Sequence, residues 1–216
     1  MCVLYVGNGA FYTEIKLNNP RMKELWFKRD VSTQGLTVRD KLKIQLWRCV
    51  DALFFKTSLK ALSVWRVFLL RLFGAKIGKG CYVSPKCTVT MPWNLVMGNF
   101  VSMDDYVFIK SGVKVSIGDY VSLSVFVHIV PDGHDVRARS FAYRGVPVAI
   151  GNGAFIGADA YIGRGVTIGQ MAVVGARSLV LKDIPENSIA YGSPCVARAE
   201  RIPDGVYKAC RYDYAE

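Results

Sequence analysis

The chain contains two histidines, His128 and His134, and an imidazole is the side chain whose ordinary titration range lies nearest neutral pH. His134 lies in Pro131-Asp-Gly-His-Asp135. A neutral imidazole within hydrogen-bond reach of a hydroxyl can take its proton while the oxygen attacks an electrophile, a contribution of ~10²–10⁴-fold in rate. Asp135, or a backbone carbonyl, could fix the tautomer of such a base. The plainer reading of His134 is a solvated loop histidine. His128 precedes Ile129 inside a regular pattern, a place that suits a ring packed or stacked on a wall. The six cysteines form no CxxC, and their spacing fits neither a zinc site nor a disulfide framework. Buried thiols in a reducing compartment are expected. Gly151-Asn-Gly153 is not preceded by a strand and followed by a helix, so it is neither a dinucleotide fingerprint nor a P-loop.

The elements that must position these residues follow a period of six. Aliphatic residues recur at Ile150, Ile156, Ile162, Ile168, Val174 and Val180, and glycine follows the first five. Upstream the pattern returns in triplets: Ile77/Val83/Val89, Met97/Met103/Ile109 and Ile117/Leu123/Ile129. The step is six within a triplet and eight between the first three. From Ile129 to Ile150 it is 21, six plus a 15-residue insertion. Six is neither a helical period nor strand alternation; it is a solenoid period. Triplets with extra residues at one recurrent corner predict a three-sided parallel β-helix of about five coils over 77–185, each hexad giving one short strand and one turn. The insertion, 130–149, carries His134, and a long loop on a regular scaffold is where function concentrates. Handedness does not follow from the arithmetic; parallel crossovers are right-handed in ~98% of cases.

Residues 1–76 read differently. They hold 14 Lys/Arg and 5 Asp/Glu of a chain whose net charge is +11. Such a basic segment suits nucleic acid, an anionic membrane surface or a phosphorylated substrate, or is simply a solvated face. Residues 1–37 read as irregular, with turns at Gly7-Asn8-Gly9 and Asn18-Asn19-Pro20. Thr37 with Asp40 fits a helix start. Leu42, Leu46, Val50, Leu53 and Phe54 then recur at helical spacing. Trp65, Phe68, Leu69, Leu72 and Phe73 are expected to share one face of a second helix ended by Gly74. That face would pack on its own domain or lie on a membrane. Neither a signal peptide nor an apolar run of the ~18 residues a membrane span requires is evident.

At the hexads the chain resembles the hexapeptide-repeat acyltransferases. The likeness is strong over 77–198, including Val180-Leu-Lys-Asp-Ile-Pro185 and Ala190-Tyr-Gly-Ser-Pro194. Trp65-Arg-Val-Phe-Leu-Leu-Arg-Leu-Phe-Gly-Ala-Lys-Ile-Gly78 and Pro92-Trp-Asn-Leu95 are similar to the colanic acid acetyltransferase group of bacterial exopolysaccharide synthesis; residues 1–60 carry little of it. The resemblance implies an all-β solenoid, a left-handed parallel β-helix, usually trimeric. A helical or irregular N-terminal segment (1–76) and a short C-terminal tail (186–216) would flank it.

It further implies an acetyl-CoA-dependent O-acetyltransferase acting on a sugar hydroxyl, with His134 as general base supported by Asp135, and no metal. Asp104 stands where galactoside acetyltransferases hold the acceptor with an Asn; it binds a sugar hydroxyl or is a turn residue. Small Ala158 and Ala176 would let the pantetheine arm approach, and Lys182 matches a Lys near the adenine-ribose phosphate. Arg198 comes one or two positions later than the family's Arg. The implied partners are a homotrimer and a saccharide or lipid-linked saccharide acceptor, without nucleic acid; contact of residues 1–76 with a membrane is expected instead from their charge and apolar face. The implied location is the cytoplasm, peripheral at the inner face of the membrane. Competing readings are transfer to an amino sugar or a xenobiotic, and a non-catalytic β-helix scaffold. A γ-class carbonic anhydrase needs three histidines on zinc, and the chain has two.

Overall fold

A computed structural model describes residues 37–135 and 142–201, and the backbone of strands β1 (Cys2–Gly7) and β2 (Ala10–Ile15). The hexads fold into a three-sided parallel coil. In each two-residue strand the repeat residue points inward and the one before it outward. Side A stacks Ile77, Met97, Ile117, Ile150 and Ile168 in register. Side B stacks Val83, Met103, Leu123, Ile156 and Val174, with Ala190 beyond them. Side C stacks Val89, Ile109, Ile129, Ile162 and Val180. All fifteen repeat residues are buried. The core is therefore three apolar columns, and its backbone polar groups are paired coil to coil.

Three residues after a repeat residue, the chain turns a corner. Phe100, Tyr120 and Met171 at edge AB, and Tyr106, Phe126, Asp159 and Arg177 at edge BC, all have positive φ. L-residues resist that conformation by ~1–2 kcal/mol. Aromatic stacking down the edges offsets part of this: Phe100 on Tyr120, with centroids 5.1 Å apart, and Tyr106 on Phe126 at 4.8 Å. Gly80 ends the first stack because a Cβ there would run into the Phe100 ring. The extra residues between triplets all fall at edge CA, as the spacing predicts. They include a 3₁₀ turn at Pro92–Asn94 and, in the long insertion, an antiparallel hairpin of Asp132–His134 with Tyr143–Gly145.

Two helices close the base of the coil, a capping requirement of any solenoid. Helix α1 (Val38–Val50) begins with the expected capping box of Thr37 and Asp40; the Thr37 hydrogen bonds hold the Asp40 carboxyl below its ordinary range. The Trp47 indole donates to the Val89 carbonyl at 2.7 Å. Helix α2 (Ser63–Leu72) is followed by Gly74 with φ +96. Its fully buried Arg66 donates to the carbonyls of Val83, Leu59 and Lys60 and to the Ser58 hydroxyl, at 2.7–2.9 Å.

Three expectations are corrected. Trp65, Phe68, Leu69, Leu72 and Phe73 do not share one face. Leu69 is buried and Phe73 packs on Trp47, while Trp65, Phe68 and Leu72 turn outward. The coil base runs along the Arg66–Val67–Leu70 side, and that contact decides which face is buried. Cys2–Gly7 and Ala10–Ile15 are not irregular: β1 and β2 pair antiparallel from Cys2↔Ile15 to Gly7↔Ala10. Asn8 and Gly9, like Asn18-Asn19-Pro20, lie outside the described residues. Among the described cysteines, Cys87 and Cys195 are buried as expected, but Cys49 is exposed.

Candidate active site

Edge CA carries His134. Its strand leaves the coil just after Ile129 and pairs with Tyr143–Gly145, so the imidazole is held on a hairpin rather than an open loop. The Tyr143 ring meets it edge-on, with centroids 5.9 Å apart. On the next coil, Arg164 donates to the His134 carbonyl at 3.3 Å. Beneath the hairpin is buried Asp132. It accepts a short hydrogen bond from the Tyr143 hydroxyl and is ion-paired to Lys110 Nζ at 2.8 Å. Gly112 makes room for this group: a Cβ there would strike the Asp132 carboxylate and the Tyr143 hydroxyl. Asp135 is half-buried, donates its N–H to the Ala142 carbonyl at 2.7 Å, and lies 3.5 Å from Arg144 Nη1. Lys182 is exposed at the same edge, two coils along.

Edge BC carries a second group. Asp104 is exposed, its N–H donating to the Leu123 carbonyl at 3.0 Å. Its neighbour Asp105 is the one engaged, by the Ser84 hydroxyl and by Lys86 at 2.9 Å. These bonds hold the Asp105 carboxyl below its ordinary range. Ala158 and Ala176 follow one coil apart. Their corners are so close that a Cβ on Gly157 would lie 2.6 Å from the Ala176 nitrogen. At the far end of this edge the Arg198 guanidinium lies 5.1 Å over the Tyr191 ring.

The seven residues singled out from the sequence thus gather into two clusters on different edges. His134, Asp135 and Lys182 are at CA; Asp104, Ala158, Ala176 and Arg198 are at BC. Side C lies between them, with Phe108, His128, Tyr161 and Leu179 pointing out in one column. His128 is on this wall, 5.7 Å from the Phe108 ring, as its hexad position predicts. Asp132, Lys110, Tyr143 and Arg164 escaped the sequence reading. The only sequence signal was the carboxylate two residues before His134 in Pro131-Asp-Gly-His-Asp135. A cleft of about 500 Å³ at the base, walled by Trp47, Arg48, Asp51, Thr88 and Phe108, includes none of the seven. No cluster of metal-ligating side chains occurs among the described residues.

Comparison with known proteins agrees with this architecture. The family described as "Hexapeptide repeat of succinyl-transferase" matches residues 147–179. WcaF of Escherichia coli K12, named as a colanic acid biosynthesis acetyltransferase, is 37% identical over 169 residues, 78% of this chain and 93% of WcaF. A galactoside acetyltransferase solved in complex with coenzyme A superposes with a TM-score of 0.70 at 29% identity, covering 77% of this chain and 84% of that one. A maltose O-acetyltransferase from Clostridium difficile 630 does so with a TM-score of 0.62 at 29% identity, covering 76% and 90%. These structural neighbours are left-handed β-helices, so the coil is the exception to the crossover rule that the resemblance implied. The repeat, its three-sided coil and the relatives agree: the chain belongs to the hexapeptide-repeat acetyltransferase family.

Proposed function

We propose that the chain is an acetyl-CoA-dependent O-acetyltransferase acting on a sugar hydroxyl in bacterial exopolysaccharide or capsule synthesis. Two relatives support a sugar acceptor by their names, and the coenzyme A in the galactoside acetyltransferase complex supports the donor. The observation that carries the reading is the placement of His134, braced on a hairpin, with small-residue corners at Ala158 and Ala176 on the neighbouring edge.

The residues would act as follows. The acceptor hydroxyl oxygen attacks the thioester carbonyl carbon while the His134 imidazole takes its proton. The tetrahedral intermediate collapses, the C–S bond breaks, and the CoA thiolate leaves and is protonated by the imidazolium. Asp135 and the Tyr143 ring hold the imidazole in place, and exposed Asp104 accepts from a sugar hydroxyl. The pantetheine arm lies along the Ala158–Ala176 edge, and Lys182 and Arg198 meet the nucleotide phosphates.

One chain holds the two halves on separate edges. The reading therefore includes a homotrimer in which side C faces the axis and edge CA of one chain meets edge BC of the next. Its outward column, which includes Phe108, Tyr161 and Leu179 beside His128, supports that orientation. An acetyl-CoA donor supports a cytoplasmic location.

The test is thioester cleavage with candidate sugars, His134→Ala beside His128→Ala. His134→Ala should cut turnover by ~10²–10⁴-fold with acetyl-CoA affinity and melting temperature nearly unchanged. His128→Ala should show a smaller rate effect. The opposite ranking would remove His134 from the role.

A further inference from the structure

The helices that close the coil turn an apolar face away from it. On α1, Val38, Leu42 and Leu46 follow at helical spacing and are 73%, 66% and 59% exposed; Leu53 and Phe54 continue the stripe. On α2, Val64, Phe68 and Leu72 repeat the pattern, with Trp65 beside them. The two stripes adjoin. The Trp65 indole donates to the Phe54 carbonyl at 3.2 Å, and its ring stacks on Phe68 with centroids 5.6 Å apart. Contiguous large apolar side chains in water mark an interaction surface.

The charge around the patch is one-sided. Residues 37–76 hold nine Lys/Arg and two Asp. Arg39, Lys41, Arg48 and Lys60 are exposed, whereas Arg66 is consumed inside the fold. No described helix is long and apolar enough to cross a bilayer. An apolar stripe with basic flanks and an indole at its margin is the pattern of a helix lying in the membrane interface. A second copy of the same face would bring two positive rims together, so the charge favours an anionic surface.

We propose that α1 and α2 form a docking surface for an anionic lipid bilayer, seating the coil base-down on the membrane. This inference stands independently of the acceptor's identity. The apolar stripes enter the headgroup–acyl boundary, and the basic side chains meet lipid phosphates.

The test uses the full chain in sedimentation with phosphatidylcholine–phosphatidylglycerol vesicles and with phosphatidylcholine alone, at low and high salt. The protein should bind the mixed vesicles at low salt and leave them at high salt. Leu46→Ser/Phe68→Ser/Leu72→Ser should weaken partitioning by at least about tenfold without lowering the melting temperature, because these side chains are already in water. Should that variant fold poorly, Arg39→Glu/Lys41→Glu carries the test, with a loss of roughly fivefold or more per charge. Failure of the unaltered protein to bind mixed vesicles at low salt overturns the proposal. So does binding indifferent to both sets of substitutions. Light scattering in which the serine variant drops to a smaller oligomer, with no vesicle binding by the original chain, would reassign the face to contact between copies.

Discussion

The His134 imidazole depends on residues from three successive coils. Lys110 comes from the second, Asp132 and Tyr143 from the insertion after the third, and Arg164 from the fourth. Asp132 is the pivot, because its carboxylate holds the strand whose Tyr143 ring bears on the imidazole. Asp132→Ala leaves the Lys110 ammonium and the Tyr143 hydroxyl without that acceptor, a cost of ~1–3 kcal/mol. Turnover should fall with KM for acetyl-CoA nearly constant, and steady-state kinetics with a thermal melt would show both effects; unchanged turnover would remove Asp132 from the positioning role. Cysteine chemistry gives a second check. Burial pushes the Cys87 thiol up to about 12, whereas Cys49 is exposed. Iodoacetamide on the native protein should therefore modify Cys49 and spare Cys87, as peptide mass spectrometry can read. His134 was readable from the sequence because it sits in the one long departure from the hexad rhythm. Its supporters were not, since stacking joins residues whose spacing carries no periodic signal. Asp104 was singled out by family position, but it is Asp105 that the fold engages.

At the scale of elements, the hexads were fully readable because one residue type must recur at each inward position. Trimming a column residue tests that account: Ile156→Ala should lower stability by ~2–5 kcal/mol, as denaturant melts would measure. The helices were readable as helices but not in their facing. Apolar residues surround α2, and the buried face was fixed by a polar contact, Arg66 on the Val83 carbonyl, that no hydrophobic pattern announces. The turns at edge BC add a pH dependence. Asp105 has its folded pKa depressed by Ser84 and Lys86, so its stabilisation is present above the unfolded value of ~3.9 and is lost as pH falls through the folded one. The melting temperature of Asp105→Asn should trail the original protein at neutral pH, and the gap should close in acid. A gap independent of pH would assign the effect to packing instead.

At the scale of the molecule, the question is why one chain separates the proposed base from the edge proposed for the cofactor. Side C lies between the two clusters. In a threefold arrangement with that side toward the axis, each chain lends edge CA to one neighbour and edge BC to the other, and three complete sites result. Light scattering should then give about three times the 24.0 kDa chain mass. Tyr161→Glu, which places a charge on that side, should yield smaller, folded, inactive species. Complementation is more decisive. His134→Ala spoils edge CA alone, and Ala176→Trp blocks the proposed pantetheine path at edge BC alone; in the proposed trimer each variant by itself should be nearly inactive. Co-expressed in equal amounts and mixed at random, they pair an intact CA edge with an intact BC edge at about one interface in four. Activity should recover to roughly a quarter of the original and disappear when the two variants are purified separately and mixed without subunit exchange. If each site lies within one chain, no mixture recovers activity, because every chain then carries one defect.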